Sequence, residues 1–318
     1  MKPRLEACYF GADVDHLWAR LAQVLQYTAK TYCPNWEIQV RHVRPEPMRS
    51  ALGIPSHVHN TQKMEHWYHV VTGAPDGARL LLMDADTMIL RPLDDVWDRD
   101  FDIAYTVKEQ TRFPFNSGVV FLRVSDRTRA FVEEWRRENR RMLGDSRHHQ
   151  VWRKQYGGIN QAALGYMLSK GDRAGVSLLT LPCAEWNCED SSWARFSSET
   201  RVVHIKSGLR RAIFFGLLSP GAGIPEIVKV WRGFERAALG QEDGDAPPPA
   251  RPRRVVPTPA PRFRLPRGRP RVVDSDAVVT TITIPRQVFD AYDRQARARS
   301  VSLRAVLRDA LAAHLPAE

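Results

Sequence analysis

The stretch Arg79-Leu80-Leu81-Leu82-Met83-Asp84-Ala85-Asp86-Thr87-Met88-Ile89-Leu90 decides the fold of this chain. Its apolar run has the length of a strand and carries no charge, which is typical of a strand buried on both faces of a mostly parallel sheet. Two carboxylates follow at once. Because ligands collect at the carboxyl ends of strands in open α/β sheets, the stretch predicts a ligand site there.

Asp84 and Asp86 stand two residues apart, with the small Ala85 between them. Since side chains alternate along an extended segment, both carboxylates are predicted to point the same way. That geometry can hold one divalent cation against a diphosphate. A bare Asp-x-Asp triplet is more often a strand-ending loop in which Asp caps the next turn, so the metal interpretation depends on the motifs that accompany it.

Composition limits the class of protein. With 318 residues, 43% of them hydrophobic, the chain can bury one sizeable domain plus a smaller one. The formal net charge of +11 favours a polyanionic partner, either nucleic acid or an anionic membrane surface. The four cysteines show no Cys-x-x-Cys spacing, and no leader or membrane-length apolar run is visible. We therefore expect a soluble, reduced, cytoplasmic protein without a membrane partner.

The first 43 residues have the pattern of a β-strand, an α-helix and a second β-strand. Residues 5–11 read as a strand ending in Gly11, residues 15–32 carry apolar side chains at helical spacing, and residues 38–43 read as a second strand. Tyr9, near the end of the first strand, is a candidate for stacking on a nucleobase. An ordinary half-buried strand tyrosine accounts for it equally well.

A further helix is predicted to start at Asn60, which puts Lys63 in its first turn. A cation is disfavoured there by the helix dipole, so a phosphate or nucleotide contact would explain Lys63. A solvated lysine is the plainer alternative.

Polar residues stand beside two later strands. Asn116, Ser117 and Gly118 precede an apolar strand and could line a sugar pocket, although Asn-Ser-Gly alone is only a turn. The segment 202–208 reads as a strand that carries His204 and Lys206 on the same side. A lone strand histidine is more often a satisfied core residue than a ligand.

Taken in order, six motifs carry a family resemblance. They are Leu-Leu-Leu-Met-Asp-Ala-Asp-Thr, Pro-Leu-Asp-Asp-Val-Trp, Phe-Asn-Ser-Gly-Val, Asn-Gln-Ala-Ala-Leu, Leu-Pro-x-x-x-Trp-Asn and Val-His-Ile-Lys-Ser-Gly. Over residues 5–215 the chain resembles the family 8 type of retaining glycosyltransferases. The resemblance implies an α/β fold, a single Rossmann-like domain of the A-type glycosyltransferase class, and a nucleotide-sugar donor, with a UDP-sugar favoured.

The resemblance also implies residue roles. Asp84, Asp86 and His204 would hold Mn²⁺, with Mg²⁺ as the alternative, because two carboxylates with one imidazole suit Mn²⁺ somewhat better. The metal would stabilise the leaving diphosphate with help from Lys206. The residues expected to bind the donor are Tyr9, Lys63, Asp84, Asn116, Ser117, Gly118, Lys206 and Gly208.

Two departures from the family affect the predicted chemistry. Asn160-Gln161 stands where the family commonly has Asp-Gln, so Glu185 or Asp190 would have to supply a carboxylate. The family's ending is compressed after His204, so phosphate contacts could be shared among Lys206, Arg210 and Arg211. The candidate catalytic residues are Gln161, Asn160, Glu185 and Asp86. Front-face attack with Gln161 steadying the sugar is favoured; an inverting mechanism with Glu185 as general base is the alternative.

Composition changes after residue 240, so we predict a transferase domain at 1–240, a Pro/Arg-rich linker at 241–276 and a terminal module at 277–318. The linker is too polar to bury a core. Its arginines, among them Arg262 and Arg264, are candidate DNA phosphate contacts, although a linker that only solubilises the chain is the alternative.

The terminal module reads as a Thr/Ile-alternating strand followed by two short helices. It resembles the ribbon-helix-helix repressors, whose strands pair across a homodimer and enter the DNA major groove. By that resemblance Thr281 and Thr283 would face DNA, with Ser302 at a phosphate-binding helix N-terminus. A module that only dimerises is the alternative.

Three functions therefore compete. The first is a transferase that glycosylates a hydroxylated base in DNA, in a bacterial or phage-infected cell. The second is a transferase acting on a glycan, a protein or a small molecule, with the tail as a dimer clamp. The third is a DNA-binding regulator that senses a nucleotide sugar without turnover, which the joint presence of Asp84, Asp86 and His204 argues against.

Overall fold

A computed structural model of the chain describes residues 1–10, 16–109, 113–170, 175–216 and 223–240, together with 291, 292 and 295. The chain divides into two compact units, Met1–Pro257 and Thr258–Glu318. The first unit contains the predicted transferase domain. The predictions for Arg262, Arg264, Thr281, Thr283 and Ser302 lie outside the described residues.

Helices and strands alternate through the first unit. The strands are β1 (Arg4–Tyr9), β2 (Glu37–His42), β3 (Arg79–Asp84), β4 (Thr87–Ile89), β5 (Ile103–Val107), β6 (Phe115–Arg123), β7 (Leu178–Pro182) and β8 (Val202–His204). The helices are α1 (His16–Tyr32), α2 (Pro55–Gly73), α3 (Asp126–Gly144), α4 (Ser146–Tyr156), α5 (Ile159–Lys170), α6 (Cys183–Trp186), α7 (Ser207–Phe215) and α8 (Ile224–Ala238).

Six strands form one mixed sheet in the order β2-β1-β3-β6-β5-β7. β1 pairs in parallel with β2 and β3, and β5 pairs in parallel with β7. β6 runs antiparallel to both of its neighbours, β3 and β5. The predicted α/β class is confirmed, and the sheet is mostly parallel as expected, with β6 as the one antiparallel strand among its six described strands.

Strand β3 is buried on both faces, as its sequence predicted. Leu80 and Leu82 pack into a core cluster with residues of α2, α3 and α5. Leu81 and Met83 point the other way, into a second cluster that contains residues of α1. All four side chains are at most 1% exposed. Burial of a side chain of this size contributes roughly 1.5–3 kcal/mol, so β3 is a rigid support for the two aspartates that follow it.

A small second sheet brings the distant histidine to these aspartates. β4 follows the Asp84–Asp86 turn directly and pairs antiparallel with β8, so that Thr87 lies opposite His204. A third core cluster, which includes Trp231 of α8 and Leu209 of α7, packs against this two-stranded sheet. The register of two short strands therefore brings together residues that are far apart in sequence.

Three sequence predictions need correction. Asp86 lies in the turn between β3 and β4 and not on an extended segment. Helix α2 begins at Pro55, five residues earlier than predicted, because Pro is well suited to the first helical position. Lys63 therefore lies in the middle of α2, and the helix-dipole argument for it does not apply. The Asn-Ser-Gly segment lies inside β6 and does not precede it.

Candidate active site

Asp84, Asp86 and His204 converge at the carboxyl end of β3. Each offers one ligand atom, and the three ligand atoms lie within 4.8 Å of one another. The Nε2 atom of His204 is 3.2 Å from Oδ1 of Asp86 and 3.6 Å from Oδ2 of Asp84. Two carboxylates and an imidazole form a ligand set that can hold a divalent cation.

Gly118 makes this close approach possible. A Cβ atom at position 118 would lie 2.7 Å from Cε1 of His204, 2.8 Å from Oδ2 of Asp84 and 2.8 Å from Oδ1 of Asn116. Real Cβ contacts are longer than this, so any larger residue would displace the ligand side chains. The backbone N–H of Gly118 donates to Oδ1 of Asn116 at 2.7 Å, which fixes the strand at this point.

Two cations contact the two carboxylates that could hold a metal. The ammonium of Lys63 donates to Oδ1 of Asp84 and lies 4.6 Å from the ring centroid of Trp67. The guanidinium of Arg210 donates to Oδ2 of Asp86 and lies 4.6 Å from the ring centroid of Trp18. These cations balance the negative charges of both aspartates. They also lie where they could contact an anion bound beside a metal at this site.

The carboxyl group of Asp86 is held in its charged form. Burial acts to raise its pKa, but the neighbouring His204, Arg210 and Lys63 outweigh burial, so the pKa lies below its ordinary value. Asp86 is therefore an ionised carboxylate throughout the neutral range.

The three ligands open into a cavity of about 420 Å³. Most of the predicted donor and catalytic residues line it: Tyr9, Lys63, Asp84, Asp86, Asn116, Ser117, Asn160, Gln161, His204 and Lys206. The structure thus gathers residues from β1, α2, β3, β6, α5 and β8 at one site. The described residues include no helix that is long and apolar enough to span a membrane.

Gln161 and Asn160 both line the cavity, but different atoms of their side chains are already hydrogen-bonded within the protein. The Nε2 atom of Gln161 donates to the carbonyl oxygens of Phe115 (3.1 Å) and Tyr156 (2.7 Å), which leaves its Oε1 for a ligand. Oδ1 of Asn160 accepts from Nδ2 of Asn139 at 2.6 Å. Nδ2 of Asn160 is buried without a hydrogen-bond partner among the described residues.

Lys206 does not continue β8, where the sequence placed it beside His204. It precedes α7, and its Nζ lies 2.5 Å from Oε2 of Glu189 and 3.3 Å from Oδ1 of Asp190. Lys108 lies 2.8 Å from the same Glu189 oxygen. Burial lowers the pKa of Lys206, but Glu189 and Asp190 more than offset this, so its pKa is raised. Lys206 is a fully charged ammonium at the cavity edge.

Glu185 and Gly208 are not among the residues that line the cavity. The carboxylate of Glu185 accepts from Nε of Arg201 at 2.7 Å, and the same arginine binds Asp95 at 2.6 Å. Asp190 likewise is absent from the lining and faces Lys206. The general-base role of Glu185 stays a prediction, and this geometry gives it no support.

Several lining residues were missed from the sequence. Phe10 stacks on His59 with ring centroids 5.4 Å apart and an interplanar angle of 11°. Asn60 and Trp18 complete this part of the wall. A helix start at Pro55 would have brought His59 and Asn60 into consideration, and Pro55 itself was the signal.

The chain turns sharply between β8 and α7. Ser207, beside Lys206, has a φ of 47°, a left-handed conformation that is uncommon for a residue other than glycine. The run that the sequence predicted to be one strand through Gly208 is therefore a strand only as far as His204, and α7 begins at Ser207.

Comparison with known proteins identifies the class. Residues 74–209, which include Asp84, Asp86 and His204, match the family described as Nucleotide-diphospho-sugar transferase. No curated protein sequence matches the chain significantly.

Solved structures similar to this chain include three glycosyltransferases. One, described as involved in the glycosylation of the major capsid of PBCV-1, is 14% identical with a TM-score of 0.46 over 64% of this chain and 95% of its own. The galactosyltransferase LgtC is 13% identical with a TM-score of 0.45 over 73% and 99%. Mouse xyloside xylosyltransferase 1 is 11% identical with a TM-score of 0.41 over 64% and 97%.

The family match spans the segment that supplies all three candidate metal ligands. The chain is a glycosyltransferase that uses a nucleotide-sugar donor.

Proposed function

We propose that this chain is a metal-dependent glycosyltransferase of the A-type fold that moves a sugar from a UDP-sugar to a hydroxyl group of a glycan, a protein or a small molecule. One observation carries the proposal: Asp84, Asp86 and His204 converge in a 420 Å³ cavity beside the cations Lys63 and Arg210. Two carboxylates and an imidazole that can hold a cation, next to these positive charges, suit a nucleoside diphosphate with its metal ion.

The ligand set favours Mn²⁺ over Mg²⁺, which prefers oxygen ligands and several waters. Bound there, the ion supplies Lewis-acid stabilisation of the diphosphate as it leaves. Asp84, Asp86 and His204 would hold it, and Gly118 keeps the space between them open.

The diphosphate would meet three cations. Lys63 and Arg210 lie on the two aspartates, and Lys206 lies at the cavity edge. Helix α7 begins at Ser207 without a side-chain cap, so its first N–H groups, including that of Gly208, add positive potential on the same side. Arg211 is exposed and does not line the cavity, so the phosphate role falls to Arg210.

The sugar would lie against Asn116, Ser117, Asn160 and Gln161. The free Oε1 of Gln161 carries a partial negative charge, which stabilises an oxocarbenium-like sugar. Since Glu185 is engaged by Arg201, front-face attack in which the leaving phosphate takes the acceptor proton is favoured over an inverting reaction. Tyr9, half-buried at the cavity wall, is the candidate for stacking on uracil.

Donor turnover tests this function. Full-length protein is incubated with Mn²⁺ and a panel of UDP-sugars, and UDP release is measured with and without glycan, protein and small-molecule acceptors. We expect slow Mn²⁺-dependent hydrolysis of one donor and faster release with the right acceptor. If none of the UDP-sugars releases UDP under any condition, the proposal of a UDP-sugar transferase is wrong.

A DNA acceptor is the second candidate. It rests on the arginine-rich segment 251–271 and the Thr/Ile-alternating segment 278–285, which resemble a DNA-binding tail. A hydroxylated base would have to reach the cavity near Gln161, either from the major groove or after flipping. Transfer to hydroxymethyl-pyrimidine DNA but not to unmodified DNA, detected by nucleoside mass spectrometry, would support it. Transfer to a glycan or protein alone would exclude it.

The terminal module is also proposed to form the homodimer. Light scattering should then give a dimer for the full chain and a monomer for a chain ending at Gly240. If the full chain is monomeric, the module has another role.

A further inference from the structure

His204 has a second hydrogen-bonding atom, Nδ1, that faces away from the aspartates. It lies 3.1 Å from Oδ1 of Asn187. Asn187 follows α6, and both Asn187 and His204 are buried. A neutral imidazole carries its proton on only one of its two nitrogens, so this contact bears on whether Nε2 can bind a cation.

The orientation of the Asn187 amide follows from backbone groups. The backbone N–H of Gly118 donates to the side chain of Asn116, so the accepting atom there is Oδ1. The Asn187 atom 3.1 Å from that oxygen must therefore be Nδ2. Thr106 gives its hydroxyl proton to the backbone oxygen of Asn116 (2.9 Å), so it accepts from Nδ2 of Asn187 (3.0 Å).

Both protons of the Asn187 amide are thus used by Thr106 and Asn116. Its Oδ1 is left to face His204 and can only accept a hydrogen bond. The ring must then keep a proton on Nδ1 whether it is neutral or doubly protonated, and Nε2, which faces Asp84 and Asp86, is the nitrogen that can bind a cation. Without Asn187, the two carboxylates would favour the opposite tautomer, because Nε2–H could then donate to Oδ1 of Asp86 at 3.2 Å.

We propose that Asn187 is a positioning residue that holds His204 in the Nδ1-protonated tautomer, so that Nε2 is ready to bind the divalent cation. The proposal rests on the metal site of the proposed function. Thr106 and Asn116 act through Asn187, because they accept hydrogen bonds from its amide and so fix its orientation. Partners of this kind, hydrogen-bonded to a ligating histidine, typically change metal affinity by about 10–100-fold.

The first test needs no metal. Long-range ¹H–¹⁵N correlation spectra of the metal-free protein, with His204 assigned by its absence in His204→Gln, report which ring nitrogen carries the proton. With the spectra recorded at a pH high enough to make the ring neutral, we expect protonated Nδ1 in the wild type and protonated Nε2 in Asn187→Leu. Asn187→Asp keeps an acceptor for Nδ1–H and should restore the wild-type pattern, which a merely space-filling role would not require.

The second test measures Mn²⁺ affinity by electron paramagnetic resonance without nucleotide. Asn187→Leu should bind Mn²⁺ about 10–100-fold more weakly, and Asn187→Asp should recover most of the affinity. Asn139→Leu is the matched control, because Asn139 is an equally buried amide that contacts Asn160 and not His204. If Asn187→Leu does not fold, Asn187→Asp and Thr106→Val provide the comparison, and Thr106→Val should weaken binding.

Wild-type protein with its proton on Nε2 would overturn the proposal, as would unchanged Mn²⁺ affinity in folded Asn187→Leu or Thr106→Val. Failure of the proposed function has a different signature. If wild-type protein binds no Mn²⁺ at all, the metal site is wrong, and the tautomer measured in the metal-free protein still decides the role of Asn187.

Discussion

The guanidinium of Arg210 donates to the carboxylate of Asp86, one of the three residues able to hold a metal. The pair lies at the cavity wall, with the guanidinium over the ring of Trp18. The guanidinium of Arg210 and a divalent metal ion would compete for the carboxylate of Asp86, and a bound diphosphate would attract both of them. Binding of metal and nucleotide should therefore be coupled through Arg210.

Replacing Arg210 should change metal and nucleotide binding in opposite directions. In Arg210→Gln, Mn²⁺ alone should bind more tightly because its competitor for Asp86 is gone, while UDP affinity in the presence of Mn²⁺ should fall about tenfold through loss of a charge-assisted contact. Isothermal titration calorimetry measures both. Arg211→Gln removes an exposed arginine next along the chain and is the matched control. Equal UDP affinity in the two variants would argue against a phosphate role for Arg210.

Adding one methyl group at Gly118 should damage the metal site. The new Cβ would press on His204, Asp84 and Asn116 at less than 3 Å, so the ligands must move. We expect Gly118→Ala to lose about tenfold or more in Mn²⁺ affinity, since small displacements of positioned groups are costly. Gly144→Ala serves as control because nothing lies within 4 Å of its new Cβ. Wild-type affinity in Gly118→Ala would show that the ligands do not need this close approach.

Glu189 should be a major contributor to stability. Its fully buried carboxylate lies between Lys108 and Lys206, and it also accepts from Ser191. Glu189→Gln leaves two largely buried ammonium groups without their shared partner, which costs about 3–5 kcal/mol for a buried pair. Urea unfolding measures this loss. Glu134→Gln, which breaks an exposed pair with Arg137, should change the free energy of unfolding by less than about 1 kcal/mol.

Stability at low pH should reflect the same carboxylate. Burial raises the pKa of Glu189, but Asp190, Lys206 and Lys108 lower it by more than burial raises it. The folded pKa of Glu189 therefore lies below its unfolded value. Its contribution is then present above the ordinary glutamate range and is lost only as the pH falls towards the folded pKa. The difference in unfolding free energy between wild type and Glu189→Gln should therefore shrink as the pH falls below about 4, the ordinary glutamate range. A difference that is constant with pH would contradict the ion-pair account.

The cysteine in the cavity wall should be unreactive in the folded protein. Burial raises the pKa of Cys8 to about 12, with Lys63 acting against it, and burial raises the pKa of Cys33, Cys183 and Cys188 to about 11–12. The thiolate is the reactive form, so iodoacetamide at about pH 8 should modify none of the four before unfolding and all four afterwards. Rapid modification of native Cys8, located by peptide mass spectrometry, would contradict its burial.

The sequence predicted which three candidate ligands come together better than it predicted the elements that carry them. Asp84, Asp86 and His204 were found because their chemistry and order in the chain resemble one family, and the match over residues 74–209 supports that class. The extended geometry assumed for Asp86 was wrong, because β3 ends at Asp84 and only the pairing of β4 with β8 brings His204 close. Strand register between short, distant segments depends on tertiary packing that local pattern does not encode.

Other residues were misjudged for local reasons. The predicted helix start at Asn60 puts Lys63 in a first helical turn, whereas α2 begins at Pro55. The predicted strand through Lys206 ends at His204, because Lys206 is the residue before helix α7, whose first residue, Ser207, has a positive φ that the sequence does not signal. In the sequence, Asn187 is only the last residue of the Leu-Pro-x-x-x-Trp-Asn motif. Its role depends on three hydrogen bonds that no spacing rule predicts.

The most direct test of the central claim is donor turnover in one pair of variants. Asp86→Asn removes the charge of a candidate metal ligand, and Asp100→Asn makes the same chemical change at an exposed residue outside the cavity. UDP release from the preferred UDP-sugar is measured for both and for wild type, with Mn²⁺ and with a chelator. A metal-dependent transferase predicts turnover for wild type and Asp100→Asn only with Mn²⁺, and none for Asp86→Asn. Undiminished turnover in Asp86→Asn, or in the chelator, would contradict it.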